Sequence, residues 1–409
     1  MKKYNIGLIG IGTVGTGVYT QLNKKKRLIK ERTGITLNVK GVCDTNKNAL
    51  RRVGVPRECR VGHYMEIIND PGVDCVVELI GGTTVAKKVI LEALKAGKDV
   101  VTANKALLAE EGKTLFTAAK KYGQQIYFEA SVGGEIPIIK GLKEALVSNR
   151  VKTILSIING TSNYILSKMT HEKMSFKQAL KIAHQQGYAE ADPTLDIEGI
   201  DAAHKITLMA ELAFGKHFNF KQVSCEGISK ITPGDISFAG QLGYAVKLLA
   251  IAKRTRDGFE VRVQPTLLSK NLILANVDDT YNAVYLTCDE VDNMLFYGRG
   301  AGQRPTASAV VSDIVDLARI AVGMAGGTVM PTRESVQIKS MSSIQSRYFL
   351  RFPVIDKPGV LAKIANILGR CDVSISDVIQ QERKIGRTVP LVLLTHATYE
   401  KHIQQALKK

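Results

Sequence analysis

Between Gly187 and Lys205 the chain reads GYAEADPTLDIEGIDAAHK, which crowds Glu190, Asp192, Asp196, Glu198 and Asp201 ahead of a single lysine. Like charges repel, and a buried carboxylate is costly unless paired, so folding alone gives little reason for this crowding. Gly187 and the Asp192-Pro193 step resist helix, so the segment opens as a loop. From about Ile197 to Phe214 the pattern becomes helical. Asp201 and Lys205 are i and i+4 on that helix, so they share a face and can act on one molecule. The competing reading is a solvated acidic loop followed by an exposed ion pair. Ala202, Ala203, Ile206, Leu208, Met209 and Ala210 make the helix apolar on most sides, and a charged pair there calls for a polar substrate.

A second cation comes from a different place. Lys105 ends the turn Thr102-Ala103-Asn104-Lys105, just past the strand Asp99 to Thr102, where side chains face a ligand crevice. A lysine beside a carbonyl oxygen can stabilise growing negative charge and deliver a proton, and carboxylates can hold a substrate ammonium. Lys205 suits the first role, Glu190 and Asp196 the second. Asp201 would orient Lys205 or hold substrate, and Lys105 would bind a carboxylate or assist polarisation. His184, His204 and His217 show no zinc-ligand pattern.

These groups need a scaffold. Tyr4 to Ile9 is an apolar strand followed at once by Gly10-Ile11-Gly12-Thr13-Val14-Gly15 and an apolar-faced helix from Val14 to about Ile29. Strand, glycine turn and helix give the dinucleotide fingerprint its required context. Gly10 permits the turn, Gly12 admits a pyrophosphate, and Gly15 allows close packing. The second strand, Leu37 to Val42, ends in Cys43-Asp44. A carboxylate there binds free ribose hydroxyls and favours NADH, while Lys47, Arg51 and Arg52 could neutralise a 2′-phosphate, so NADPH and NADH both stay open. Strands at Val73–Ile80, Asp99–Thr102 and Gln125–Phe128 alternate with helices at Thr84–Ala96 and Glu111–Tyr122, which predicts a doubly wound parallel sheet. Val151–Ile158 is a further strand, and Asn159 precedes a capped helix. From Phe218 to Tyr297 the chain turns β-rich, as in an α+β domain. Gly298 to Thr306 is a glycine loop before a helix to about Met324, and Ala325 to Gln345 reads as a linker. After it come strands at Tyr348–Val354, Val373–Ile379 and Thr388–His396, and helices ending at Leu368 and Leu407.

At 409 residues the chain exceeds one core, so two or three domains are expected. The formal charge of +18 is high. Its lysines are dispersed and lack aromatic interleaving, which argues against nucleic acid and for attraction of anionic ligands. Six dispersed cysteines without CxxC spacing fit reduced thiols in a cytoplasmic protein. Glycines interrupt the apolar N-terminus as they would a strand and turn, not a signal peptide, and no run could span a bilayer.

Read together, GIGTVG (10–15), VTANKALL (101–108), EASVGGEIPII (129–139), NGTSNYIL (159–166), GYAEADPTLDIEGIDAAHK (187–205) and GAGQRPTASAVVSDI (300–314) resemble the homoserine dehydrogenases of the aspartate pathway, in the form with a C-terminal ACT domain. The resemblance implies reduction of L-aspartate 4-semialdehyde to L-homoserine with NADPH or NADH. It implies an NAD(P)-binding domain at 1–135 with helix 305–325 packing back on it, and a catalytic and dimerisation domain at 136–304. A linker at 326–346 and a ferredoxin-like ACT module at 347–409, lacking its last strand, would follow. Catalytic roles fall on Lys205, Asp201 and Lys105, and substrate contacts on Glu190, Asp196, Asp201 and Gly187. Cofactor contacts fall on Gly10, Ile11, Gly12, Thr13, Val14, Gly15, Asp44, Thr102, Lys105 and Gly302. A sodium ion would sit on main-chain oxygens near Glu129, Val132, Gly134 and Ile136. A homo-oligomer, dimer or tetramer, and threonine as effector are further implications. Cys43 before Asp44, Glu135 and Arg299 depart from the family pattern. Two other readings are another amino-acid-aldehyde reductase and a non-catalytic amino-acid sensor.

Overall fold

A computed structural model of the chain describes residues 3–324, 340–380 and 388–409. Six strands, β1 (Lys3–Ile9), β2 (Thr36–Cys43), β3 (Arg60–Val61), β4 (Cys75–Glu78), β5 (Asp99–Thr102) and β6 (Ile126–Tyr127), form a sheet in the order β3-β2-β1-β4-β5-β6. All its pairings are parallel. The strand order reverses between β1 and β4, which opens a ligand crevice at their carboxyl ends. The helices alternating with these strands are α1 (Thr13–Lys24), α2 (Lys26–Thr33), α3 (Lys47–Arg52), α4 (Tyr64–Asn69), α5 (Thr84–Lys95) and α6 (Lys105–Tyr122).

Three differences from the sequence reading have local causes. The helix expected from Val14 to Ile29 breaks at Lys25, where the buried face that ends at Leu22 gives way to exposed consecutive cations. Helix α6 starts at Lys105 and not at Glu111, because the Asn104 side chain caps it by accepting the Leu107 N–H. The short elements α3, β3 and α4 have no counterpart in the expected pattern, being too brief to show a period.

A second sheet runs β12-β11-β7-β9-β10-β8. Its strands are β7 (Val151–Ile157), β8 (Ser224–Cys225), β9 (Tyr244–Arg254), β10 (Phe259–Ser269), β11 (Tyr281–Cys288) and β12 (Asn293–Arg299), antiparallel except where β8 joins β10. The remaining helices of this region are α7 (Ile138–Lys140), α8 (Gly160–His171), α9 (Phe176–Gln185), α10 (Thr194–Ile197), α11 (Ile200–Phe214) and α12 (Pro233–Gln241). Helices α8, α11 and α12 pack on the sheet. Helix α13 (Gln303–Ala321) then returns to α1. There a Cβ added at Gly17 would lie 2.8 Å from the Gln303 carbonyl oxygen, so glycine sets the helix spacing. The two expected N-terminal domains accordingly form one compact unit, Met1–Val329.

The second unit, Met330–Lys409, contains β13 (Gln345–Ser346), β14 (Phe349–Ile355), α14 (Val360–Gly369), β15 (Ile375–Gln380), β16 (Thr388–Thr395), β17 (Thr398–Tyr399) and α15 (Glu400–Leu407). Strands β14-β16-β15 form an antiparallel sheet around Leu350, Leu368, Val373, Leu391, Leu393 and Ile403. Most of the expected linker lies outside the described residues. Its end is not linker, since Gln345–Ser346 pair with Thr398–Tyr399.

Lys247 of β9 anchors the second sheet to the turn before β11. Its buried ammonium donates to the Val277 carbonyl at 2.6 Å and to Asp278 Oδ1 at 2.8 Å. Lys247→Met keeps the aliphatic stem but takes the charged donor away from both acceptors, which retain only the neutral donors Asn163 and Ser167. It should lower the unfolding free energy by about 2 kcal/mol, read from the midpoint of urea denaturation at unchanged slope.

Candidate active site

The fingerprint turn has the geometry its glycines require. Gly10 sits at φ +99°, and a Cβ there would lie 2.5 Å from the Leu79 carbonyl oxygen. A Cβ on Gly15 would fall 2.0 Å from the Gly10 oxygen, whereas Gly12 faces open space. Gly12 is also the N-cap of α1 and has no side-chain cap, so the first N–H groups of that helix face outward beside Thr13 and Val14. Ile11 is buried under the turn. Asp44 is tied to the same turn: Oδ2 accepts the Ile11 N–H at 2.6 Å, and Oδ1 accepts from Asn46 at 2.7 Å. The carboxylate thus shapes the turn as well as presenting charge beside it.

The crevice floor depends on Glu78, whose role sequence reasoning missed. Fully buried at the end of β4, it accepts the Ile80 N–H at 2.8 Å and the Thr102 hydroxyl at 2.7 Å. Thr102 in turn accepts the Asn104 N–H, and Asn104 donates to the Gly82 carbonyl at 2.6 Å. This chain fixes the start of α6 and with it Lys105.

Asp201 lies at the meeting of the two halves, 5% exposed. Its Oδ1 is 2.8 Å from Lys105 Nζ and its Oδ2 is 2.7 Å from Lys205 Nζ. Asn159 completes the cluster: its amide donates to Asp201 Oδ2 at 2.9 Å and to Asp196 Oδ1 at 2.7 Å, while its oxygen caps α8 at Ser162. The cap was legible in the order Asn-Gly-Thr-Ser; the double bridge was not. Lys205 also donates to the Ile158 carbonyl at 2.8 Å, so two of its three N–H bonds are committed and one is left for a ligand.

The electrostatics separate the two lysines. Burial works to raise the Asp201 carboxyl, but Lys205 and Lys105 reverse this and hold it well below the usual carboxylate range. Burial pulls the Lys205 ammonium below the ordinary lysine range; Asp201 opposes this and Lys105 adds to it. Lys105, with a side chain 41% exposed, is pushed the other way: Asp201, then Asp196 and Glu190, outweigh desolvation and raise it. Glu190 and Gly187 lie on the exposed loop at the mouth, and Asp192 accepts the N–H and hydroxyl of Thr194, the first residue of α10.

The turn after β6 packs against the loop before α13. Glu129 is buried and accepts the N–H groups of Ile139 and Lys140, while its own N–H donates to Asp313 Oδ2 at 2.8 Å. Burial raises both carboxyls, that of Asp313 to about 8. Val132, Gly134 and Ile136 are buried as well, and a Cβ on Gly134 would lie 2.8 Å from the Gly300 carbonyl. Among the described residues no cluster of His, Cys, Asp and Glu could hold a metal, so a cation at this turn would depend on main-chain oxygens. Gly302 is the N-cap of α13 at φ +121°.

The geometry agrees with what comparison shows. A family model for the homoserine dehydrogenase NAD-binding domain matches residues 10–129, and one for homoserine dehydrogenase matches residues 137–315. Homoserine dehydrogenase of Neisseria gonorrhoeae is 46% identical over 413 residues, covering 100% of this chain and 95% of that protein. The Bacillus subtilis enzyme is 40% identical with the same coverage. Among solved structures, a homoserine dehydrogenase from Thiobacillus denitrificans aligns with a TM-score of 0.77 at 42% identity, covering 100% of this chain and 94% of that one. An archaeal homoserine dehydrogenase in complex with NADPH aligns at 0.65 and 26% identity, covering 77% of this chain and 97% of the other. With both halves of the site and the whole length matched, the chain belongs to the homoserine dehydrogenase family.

Proposed function

We propose that the chain reduces L-aspartate 4-semialdehyde reversibly to L-homoserine, with Lys205 as the proton donor and Lys105 as a fixed cation. The observation that carries this reading is the buried Asp201 carboxylate shared by two lysines with opposite pKa shifts. When bound at the Gly10–Gly15 turn, NAD(P)H supplies the hydride to the carbonyl carbon. Lys205 stabilises charge on the carbonyl oxygen through its uncommitted N–H and transfers that proton. Its lowered pKa makes the transfer easier, and Asp201 keeps the resulting amine in place. Lys105 holds the substrate carboxylate, and Glu190 with Asp196 receives the ammonium. A sensor without chemistry would have no use for a desolvated lysine held this way, and an enzyme for another amino-acid aldehyde finds no support in the family match.

Several finer assignments go with this reading. Asp44 supports use of NADH, and Lys47 with Arg51 supports use of NADPH. The buried main chain at Glu129, Val132, Gly134 and Ile136 suits sodium. The order β14-α14-β15-β16-α15 within the C-terminal unit supports an ACT-like module, with a cavity of about 340 Å³ lined by Asp356, Lys357, Gly359 and Gln380 as the place for threonine. Exposed Phe238, Leu242, Leu267 and Ile273 support a homo-oligomer, dimer or tetramer. No helix among the described residues is long and apolar enough to cross a membrane.

Lys205→Ala should lower kcat on the order of 100- to 1,000-fold. In the wild type, aldehyde reduction needs the Lys205 ammonium and alcohol oxidation needs the free amine. Because the Lys205 pKa is lowered, reduction should decline, and oxidation rise, at a pH below the ordinary lysine value. Asp201→Asn removes the opposing charge and should move both limbs to lower pH. A profile unchanged in that variant would remove Asp201 from the role.

Asp44→Ser should shift the kcat/KM ratio toward NADPH by about tenfold, since a repulsive charge is lost. An unchanged ratio, measured with both cofactors, would show that Asp44 serves the turn alone. For the C-terminal cavity, the expected result is inhibition as threonine is titrated, abolished in Asp356→Ala. Light scattering during the titration reports the accompanying mass.

A further inference from the structure

Asn282 stands near the start of β11, 1% exposed, opposite Gly298 of β12. Neither its Oδ1 nor its Nδ2 has a hydrogen-bond partner among the described residues. A side-chain amide carries two donors and an acceptor oxygen, and burying all of them unpaired works against folding, whereas leucine would occupy similar space at no such cost. A polar side chain here makes sense only if a partner reaches it.

The neighbours show which partner that is. A Cβ built on Gly300 would lie 1.4 Å from Asn282 Oδ1 and 2.8 Å from Nδ2, so the loop main chain rests directly on the amide. From the other side, Gly134 closes on the carbonyl of Gly300 and the nitrogen of Ala301. The loop continues through Gly302 into α13, and Gln21 of α1 holds that end by donating to the Arg304 carbonyl at 2.9 Å. At the base of β11, Gly160 abuts the Thr280 carbonyl, and Gly160 follows Asn159, the residue that bridges Asp196 and Asp201. Asn282 therefore lies where the cofactor-side loop, the Gly133-Gly134 turn and the support of the acidic cluster converge.

We infer that Asn282 is a positioning residue for the Gly300-Ala301-Gly302 loop: its amide takes up hydrogen bonds from the loop's peptide groups when a nicotinamide cofactor is held, and so locks the loop over the site. This rests on the cofactor reading given above. The loop's main chain is polar and lies against the amide, and its glycines leave it free to adjust. The lock makes loop order a consequence of cofactor binding, with no direct contact between Asn282 and cofactor or substrate.

The test uses the full chain, with NADPH and NADH each as probe. In the wild type, hydrogen exchange at residues 299–303 should slow when cofactor is added. In Asn282→Leu that protection should be lost and the dissociation constant for cofactor should rise about tenfold. The cofactor KM should rise more than kcat falls, and the cofactor-free variant should melt no lower than the wild type. Asn282→Asp, which keeps one acceptor oxygen, should recover part of the affinity. A Leu variant that binds cofactor within twofold of wild type with protection intact would reduce Asn282 to a packing element, satisfied by internal water. If the Leu variant does not fold, the wild-type exchange decides: no cofactor-dependent slowing at 299–303 overturns the proposal. A wild-type chain that binds neither cofactor refutes the cofactor reading itself, which is a different result.

Discussion

One buried carboxylate with two ammonium groups organises this molecule. Asp201 is contributed by a helix of the second sheet region, Lys105 by the first helix turn after β5, and their ion pair spans the junction of the two sheets. An ionised carboxylate at that depth is tolerable only with cationic partners, and removing Asp201 would leave the buried Lys205 ammonium without its counter-ion. The supporting bonds follow from that constraint. Asn159 adds a neutral donor, Ile158 offers a carbonyl to Lys205, and Glu78 with Thr102 and Asn104 holds the Lys105 turn.

Much of this was legible in the chain. The strand-glycine-helix order at the N-terminus and the alternation after it fix a parallel sheet, and α11 with its Asp201–Lys205 spacing appears as a helix with one charged face. What the sequence hides is long-range pairing. Lys105 and Asp201 are almost a hundred positions apart, and nothing in either segment names the other. Asn159 reads as a helix cap, which it is, but its second function depends on where Asp196 and Asp201 arrive in space. Glu78 ends a strand of apolar neighbours and gives no periodic signal. Asn282 is one polar residue in an alternating strand, indistinguishable in sequence from a solvent-facing one. Main-chain features are hidden for a different reason, since a carbonyl oxygen has no letter of its own.

The same logic accounts for where expected elements shifted. Helix α6 gains its first turn because Asn104 caps it, and this places Lys105 at a rigid helix start and not on a loose loop. A lysine on a flexible connection would lose more side-chain and backbone entropy on pairing with Asp201. Helix α1 ends two residues past its last buried side chain, Leu22, and the cations from Lys24 to Arg27 then lie in solvent, as their charge requires.

Charge balance explains why two lysines share one carboxylate. With Lys105 and Lys205 protonated and Asp201 ionised, these three groups carry an excess of one positive charge, which Asp196 and Glu190 offset from the mouth side and which an anion beside Lys205 would relieve. Under the proposed function a substrate carboxylate or a developing alkoxide would meet that need, and Asp196 and Glu190 would meet the ammonium. The two cations are not equivalent in this arrangement. Lys105 sits nearer water, feels three acidic groups, and is held protonated; Lys205 is enclosed, and loses its proton more readily. A cluster with one lysine would be neutral and would attract no anion. A second carboxylate in the core would hold the Lys205 proton more tightly and slow its transfer. In the proposed reaction, two unequal lysines around one acid would serve both attraction and release.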